Sequence, residues 1–278
     1  MSFSLQTPAK INWTLSIIGK RDDGYHDIIS PTQCVSLFDS LTFEEAGEVE
    51  MISDLDVPVD QNLVYRAAVL LKKYSAVRRG ARILLKKDIP VGAGLGGGSS
   101  DAACTLKGLN RLWGLDLPQK ELMSLGSQIG SDVPFFIGGP FSLVEGRGEK
   151  VTTLEAVNAV DIIIVKPDIS ISTSWAYSSY VVELTKKGID IKLFCQTLDR
   201  RDFVSLRDIV LNDLERVVAV RYPVIAEIEK MLIKKGAVIS LMSGSGSAVF
   251  GVFESADKAI RASADMGKYW YRVVKTLV

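Results

Sequence analysis

Histidine is nearly missing from this chain of 278 residues, which carries one, His26, and cysteine is scarce, with Cys34, Cys104 and Cys195 far apart. No C-x-x-C pair accompanies them, which argues against a disulfide framework, a zinc site and metal ligation by His26. The three thiols read as buried apolar groups in a reducing cytosol. An excess of either charge is also lacking: Lys plus Arg and Asp plus Glu stand at 33 each. A dedicated nucleic-acid binder, or an RNA-binding relative, has no surplus cations here with which to neutralise phosphates, and an anionic membrane has none to attract. No apolar run approaches the roughly 20 residues that span a bilayer, and the first residues lack a basic stretch followed by an apolar one. A cytoplasmic protein is expected. The Walker pattern and the H-R-D and D-F-G sets of protein kinases are absent as well, which sets those nucleotide-binding classes aside.

What is present points to a sizeable core. Hydrophobic residues make up 47% of the chain, and its length exceeds the about 250 residues at which one core usually stops growing, so two domains are expected. Strand-like alternation and strong helical periods mix in both halves, which gives an α+β class. Between Phe3 and Ile18 the pattern alternates, with Ile11, Trp13, Leu15 and Ile17 pointing one way. Lys10, Asn12, Thr14 and Ser16 then share the opposite, polar face. From Ala102 the residues Ala103, Leu106, Leu109 and Trp113 recur at helical spacing and Gly114 supplies a stop. Further helices are expected from Pro118 through Ile129 and from Tyr222-Pro223 to Lys235, the second followed by a strand over Ala237 to Met242.

The strongest local feature is Pro90-Val91-Gly92-Ala93-Gly94-Leu95-Gly96-Gly97-Gly98-Ser99-Ser100-Asp101, with five glycines in seven positions. Packing does not ask for such a run. A backbone without Cβ atoms can approach an anion closely, and the amides of the following helix start point at it, so the segment reads as a phosphate cradle. The bland alternative is a flexible loop in which Ser99 or Ser100 caps the helix. The same stretch satisfies G-x-G-x-x-G, with Asp116 at a plausible distance for a ribose contact, which keeps a nicotinamide-dependent oxidoreductase open. Against it, the helix pattern starts after Gly98-Ser99-Ser100, whereas the third glycine of that fingerprint belongs inside a helix. A second small-residue box, Met242-Ser243-Gly244-Ser245-Gly246-Ser247, reads equally as a tight hairpin turn or as a second wall of the site.

Phosphoryl transfer needs a basic group, such as a carboxylate, to take the proton of the acceptor hydroxyl and a cation to neutralise developing charge. Asp132, in Gly130-Ser131-Asp132-Val133-Pro134, could supply the carboxylate, while its local context favours a helix cap with Pro134 in the first turn. Lys10 is either a surface lysine or the cation. Tyr25-His26 either stacks on a base or closes an ordinary turn.

Taken together, these segments resemble the GHMP kinase superfamily. The match is carried by Pro8-Ala9-Lys10-Ile11-Asn12, Gly19 through His26, Gln61-Asn62-Leu63, Ile89 through Ala103, Gly130 through Phe136, Gly146-Arg147-Gly148-Glu149, Asn212-Asp213-Leu214-Glu215 and Met242 through Val249. The Gly24-Tyr25-His26 segment selects the branch that acts on 4-diphosphocytidyl-2-C-methyl-D-erythritol in the non-mevalonate isoprenoid route, rather than homoserine or mevalonate. The resemblance implies ATP as phosphoryl donor with Mg²⁺ on the nucleotide, no protein side chain assigned to a metal, and a monomer or weak homodimer. It makes Asp132 the base and Lys10 its supporting cation, and places Asn12, Tyr25, His26 and Tyr177 at the substrate, with Tyr180 a rival to Tyr177. Pro90, Gly92, Gly94, Leu95, Gly96, Gly97, Gly98, Ser99 and Ser100 would wrap the ATP phosphates, Asn62 and Asn110 would lie near the adenosine, and Gly244, Ser245 and Gly246 would form the third glycine box. The implied fold is a ribosomal-protein-S5-domain-2-like N-terminal domain over 1–152, with a left-handed crossover, and a ferredoxin-like domain over 153–278 whose last strand returns to the first. Trp13 and Phe141 depart from the pattern, and both concern packing.

Overall fold

The computed structural model describes residues 2–155, 157–181 and 188–278. A first sheet holds seven strands: β1 (Ser2–Asn12), β2 (Ser16–Lys20), β3 (His26–Ala46), β4 (Val49–Ile52), β5 (Gly80–Lys86), β6 (Phe141–Gly146) and β7 (Lys150–Thr153). Its spine is β3, 21 residues long, which pairs antiparallel with β1 and β2 along one edge and with β5 and β6 along the other. Against it lie α1 (Leu63–Ser75), α2 (Gly97–Trp113), α3 (Gln119–Ser127) and α4 (Val133–Gly138). Asn62 starts α1 by accepting from Val64 N at 2.9 Å, and α2 ends where Gly114 turns left-handed. Gly108 lets α2 lie close on the sheet, since a Cβ there would stand 2.5 Å from the Phe43 ring. That contact fixes where the helix start points.

The second sheet contains β8 (Asp161–Lys166), β9 (Ile239–Met242), β10 (Val249–Phe253) and β11 (Trp270–Lys275), antiparallel in the order β11-β8-β10-β9. Between β8 and β9 run α5 (Thr173–Ser178), α6 (Ile191–Asp199), α7 (Phe203–Arg207), α8 (Asp213–Arg221) and α9 (Val224–Lys234); α10 (Ala256–Ser263) joins β10 to β11. The strand order and connections are those of a ferredoxin-like layer. β11 pairs with β8, while the two residues beyond it reach the first sheet: Thr276 bridges Val35, and Leu277 N donates to Cys34 O at 2.8 Å. No helix among the described residues is long and apolar enough to cross a membrane.

Where the halves meet, Trp13 is fully buried between rings of both, 6.3 Å from Phe194 on α6 and 6.0 Å from Phe250 on β10, with Phe141 on β6 6.4 Å from Phe194. The indole donates to Gln33 Oε1 at 2.8 Å, and Gln33 donates to Leu277 O at 2.8 Å. Both departures from the family pattern therefore serve the seam. Trp13→Ala is expected to lower unfolding free energy by about 3–5 kcal/mol, because it leaves a cavity and strips Gln33 of its donor. A denaturant titration measures it, and a cost below about 1 kcal/mol would sink this account of the seam.

Some boundaries fall elsewhere than the sequence pattern suggests. The alternating run from Phe3 to Ile18 is two strands, broken where Trp13 N donates to Pro31 O and Leu15 N to Leu211 O. Its polar face looks inward, with Lys10, Asn12, Thr14 and Ser16 all buried. Helix α2 begins at Gly97, five residues ahead of the apolar periodicity, so Gly97, Gly98, Ser99 and Ser100 lie in the helix rather than in a prolonged loop. That boundary therefore does not separate the chain from a dinucleotide fold. Topology does, since the sheet from which β5 leads into the glycine run is antiparallel apart from the β4–β5 pair, and a dinucleotide crevice needs a doubly wound parallel sheet. Cys34 and Cys104 are buried as expected, whereas Cys195 on α6 is only half-buried.

Candidate active site

One cavity of about 950 Å³ collects most of the residues singled out in the sequence. Lys10 and Asn12 reach it from the end of β1, Tyr25 and His26 from the turn into β3, Asn62 from the start of α1, and Asp132 from the start of α4. Pro90, Gly92, Gly94, Leu95, Gly96, Gly97, Gly98 and Ser99 form one wall, and Gly244, Ser245 and Gly246 face them from the β9–β10 turn. The small-residue box is thus both hairpin turn and site wall. Tyr177 on α5 lines the cavity; Tyr180 packs against the core instead.

Two predicted site residues lie outside. Ser100 is turned into the interior, where its hydroxyl meets Thr7 Oγ1. Asn110 sits in the last turn of α2, at the helix end away from the glycine wall, where its amide donates to Leu117 O at 3.1 Å and accepts from Leu117 N at 3.0 Å. It closes the loop after the helix.

The glycine wall is built by packing as much as by openness, which corrects the expectation that packing asks for none of these residues. At Gly94, φ is +74° and a Cβ would stand 2.1 Å from Ser243 O; at Gly96, φ is +71° and a Cβ would stand 2.8 Å from Phe136 and 3.0 Å from Lys10. Both positions require glycine on conformational and steric grounds. Gly97 brings α2 against Ile89 and Lys87, with an added Cβ 2.9 Å and 3.1 Å from their side chains. The cap residue Gly96 offers no side chain, and Ser100 N is the first amide with a helical partner, at Gly96 O, 2.9 Å. The Gly97, Gly98 and Ser99 amides thus head a 17-residue helix without intrahelical acceptors, the arrangement that attracts phosphate.

Asp132 occupies the cap position of α4 but makes no cap hydrogen bond. Its helix is held from the other end, by Lys107 Nζ donating to Phe136 O at 2.7 Å and Gln119 Nε2 to Ile137 O at 2.9 Å. The carboxylate stays available, 44% exposed, 3.8 Å from a Lys10 ammonium that is 6% exposed. Burial pulls the Lys10 pKa below that of an ordinary lysine, and the neighbouring Asp132 carboxylate pulls it back up. Lys10 Nζ also donates to Asn12 Oδ1, and Asn12 Nδ2 donates to Ser30 Oγ at 2.8 Å and Thr32 Oγ1 at 3.1 Å, so the ammonium has one fixed position.

On the cavity wall the His26 and Tyr177 rings lie 5.5 Å apart, and the Arg147 guanidinium stands 5.0 Å above the Tyr25 ring. Burial, and secondarily Lys20, lowers the His26 pKa, which keeps the imidazole neutral at neutral pH. Burial raises the Tyr177 phenol, with Asp132 adding to it.

Sequence reasoning missed a second charged group beneath the glycine wall. Lys87 pairs with Asp39 and, at 2.7 Å, with Asp101, and both Lys87 and Asp101 reach the cavity. Asp39 Oδ1 accepts from Asp88 N at 2.6 Å and Ile89 N at 2.8 Å, pinning the approach to the glycine run. Burial pushes Asp101 up, to about 7, against the pull of Lys87. Arg147 was visible within a quoted motif, but nothing in its spacing assigned it a place.

The matches to known proteins agree with this geometry. The family model described as "GHMP kinases N terminal domain" matches residues 62–140, and "GHMP kinases C terminal" matches 192–272. The 4-diphosphocytidyl-2-C-methyl-D-erythritol kinase of Thermodesulfovibrio yellowstonii is 47% identical over 97% of this chain and 96% of its own length. That of Geobacter sulfurreducens is 41% identical over 96% of each. A crystal structure of 4-(cytidine 5'-diphospho)-2C-methyl-D-erythritol kinase superposes with a TM-score of 0.85 at 33% identity, covering 98% of this chain and 99% of its own. A homoserine kinase from Cytophaga hutchinsonii, 18% identical with a TM-score of 0.74, shares the fold. The chain belongs to the GHMP kinases, in the family of the 4-diphosphocytidyl-2-C-methyl-D-erythritol kinases.

Proposed function

We propose that the protein transfers the γ-phosphoryl group of ATP to the 2-hydroxyl of 4-diphosphocytidyl-2-C-methyl-D-erythritol, releasing ADP and the 2-phosphate. One observation carries the reading: a carboxylate, a buried ammonium, a row of helix-start amides and a pair of facing aromatic rings line a single cavity. In the transfer, the acceptor oxygen bonds to the γ-phosphorus as the bond to the β-phosphate oxygen breaks. Asp132 takes the hydroxyl proton, and the Lys10 ammonium, fixed by Asn12, offsets charge developing on the γ-phosphoryl. The Gly97, Gly98 and Ser99 amides hold phosphate oxygens, with Pro90 through Leu95 shaping the loop and Asn62 near the nucleoside.

Among the described residues no cluster of three or more acidic, histidine or cysteine side chains could cage a metal. That donor set fits Mg²⁺ carried chiefly by nucleotide phosphates and water, with the Ser99 hydroxyl and Asp132 carboxylate on the cavity wall as protein oxygens within the site. When bound, Mg²⁺ supplies further neutralisation of phosphate charge. Tyr25, His26 and Tyr177 clamp the cytosine, a stack that contributes about 1–3 kcal/mol per base. The reading carries with it a cytoplasmic enzyme, monomeric or weakly dimeric.

An ADP-release assay comparing the cytidine substrate with homoserine and mevalonate tests it; turnover of either alternative in preference to the cytidine compound would overturn it. Across pH, the substrate KM is expected to rise as pH falls through the lowered His26 pKa, because the neutral imidazole is lost there. His26→Gln should flatten that dependence, and a KM that ignores pH would remove His26 from the clamp.

A further inference from the structure

The segment Asn212-Asp213-Leu214-Glu215 takes no part in the chemistry above and does not line the cavity. We propose that Asn212 and Glu215 brace the Met242–Gly246 turn from behind and so position the glycine wall against the Lys10 ammonium. The inference rests on the kinase reading.

Every hydrogen-bonding group of the Asn212 amide is committed. Its oxygen caps α8, accepting from Leu214 N at 3.0 Å, and its nitrogen donates to Met242 O and Gly244 O, both at 2.8 Å. One turn on, Glu215 Oε2 accepts from Met242 N at 2.7 Å. The same segment is tied to the first sheet, where Ile17 N donates to Asp213 Oδ2 at 2.7 Å and Leu15 bridges Asn212. The braced turn meets the site on two sides. Ser243 Oγ donates to Gly94 O at 3.1 Å, and Ala248 N to Ala93 O at 3.0 Å. On the other side, a Cβ on Gly244 would stand 3.2 Å from Lys10 Nζ and 3.3 Å from Asn12 Oδ1. A shift of the turn therefore moves the phosphate wall and the surroundings of the ammonium together. Asn212 and Glu215 touch neither reacting group, so they are positioning residues.

The brace contains its own reporter. Glu229 on α9 stands near Glu215 with its Oε1 buried and without a hydrogen-bond partner, and two buried carboxyl groups that close are accommodated only while one keeps its proton. Burial holds the Glu229 pKa up at about 9, Glu215 adds to that and Lys230 on its own helix opposes it. Strands β9 and β10, packed against α9, carry no ionisable side chain, and α8, which also packs on it, carries Asp213, bound to Ile17 N, and Arg216 and Arg221 besides Glu215. A pKa raised from the ordinary 4.5 means that the Glu229 proton is held at neutral pH and lost as pH rises through about 9, which sets a second negative charge beside Glu215.

The test compares kcat across pH for the wild type, Asn212→Asp and Glu229→Gln. Absence of wild-type ADP release would sink the kinase reading itself, before the brace is tried. In Asn212→Asp the cap oxygen survives while two donors become a carboxylate oxygen facing two carbonyls, and kcat is expected to fall about 10²-fold through misplacement. In Glu229→Gln the side chain beside Glu215 is neutral at every pH, so kcat should hold to higher pH than in the wild type. A Glu229→Gln profile that superimposes on the wild type, or wild-type kcat in Asn212→Asp, overturns the proposal; should Asn212→Asp fail to fold, the Glu229→Gln profile decides alone.

Discussion

Asp132→Asn is expected to lower kcat by about 10²–10⁴-fold while the protein keeps its fold and its affinity for nucleotide. The Asp132 side chain caps no helix amide, and α4 is secured by Lys107 and Gln119 at its far end. The amide has the same shape as the carboxylate, so what is lost is a proton acceptor beside the Lys10 ammonium. Because the wall proposed to hold ATP is built from Pro90 to Ser99 and from the β9–β10 turn, nucleotide affinity has no reason to follow kcat down. Coupled ADP release gives the first quantity and calorimetric titration the second. Turnover near the wild-type rate would remove Asp132 from the role of base, and a parallel loss of nucleotide affinity would show it to be a binding residue instead.

Lys10→Met should separate activity from stability in the opposite sense. The lysine is buried, its ammonium bonded to Asn12 and next to a half-exposed carboxylate, so the fold carries the desolvation of a cation whose partner remains wet. Methionine matches the stem in volume and removes the charge, and thermal unfolding is expected to stay level or rise. Turnover is expected to fall by about 10²–10³-fold, the loss associated with removing one preorganised charge-stabilising donor. Differential scanning calorimetry beside the kinetic assay checks both. A variant that loses stability and activity in step would mean that Lys10 is a structural residue.

The residue pattern made legible the parts of this site that are local, while the roles of Lys10, Asp132, Tyr25 and His26 came from the family resemblance. Strand alternation places Lys10 and Asn12 on one face, and the glycine run ahead of a helical period reads as a phosphate cradle without reference to any other part of the chain. Asp132 could be placed at a helix start, but whether its carboxylate caps or stays free depends on Lys107 and Gln119, which hold α4 from other helices. The need for glycine at 94 and 96 comes from Ser243 O and the Phe136 ring, so periodicity alone assigned those positions to openness and missed the packing. Asn110 was misplaced for a related reason. An asparagine in a helix says nothing about which turn faces a cavity, and here it binds its own loop at Leu117. The Asp39–Lys87–Asp101 group was invisible because its members come from β3, the stretch after β5, and α2, and only the sheet register brings them together.

The contact between Gly94 and the Ser243 carbonyl has a bearing on descent. A phosphate wall whose backbone rests on a turn made more than a hundred residues later cannot be inherited in pieces: a side chain acquired on either face of that contact is felt on the other. Hybrids that graft one half of this chain onto the complementary half of a distant cousin would have to match the bare Gly94, the Ser243 carbonyl and the ring packing around Trp13 together. Members of such a lineage are expected to diversify by exchanging what lines the open end of the cavity, while the two halves travel through evolution as a single unit.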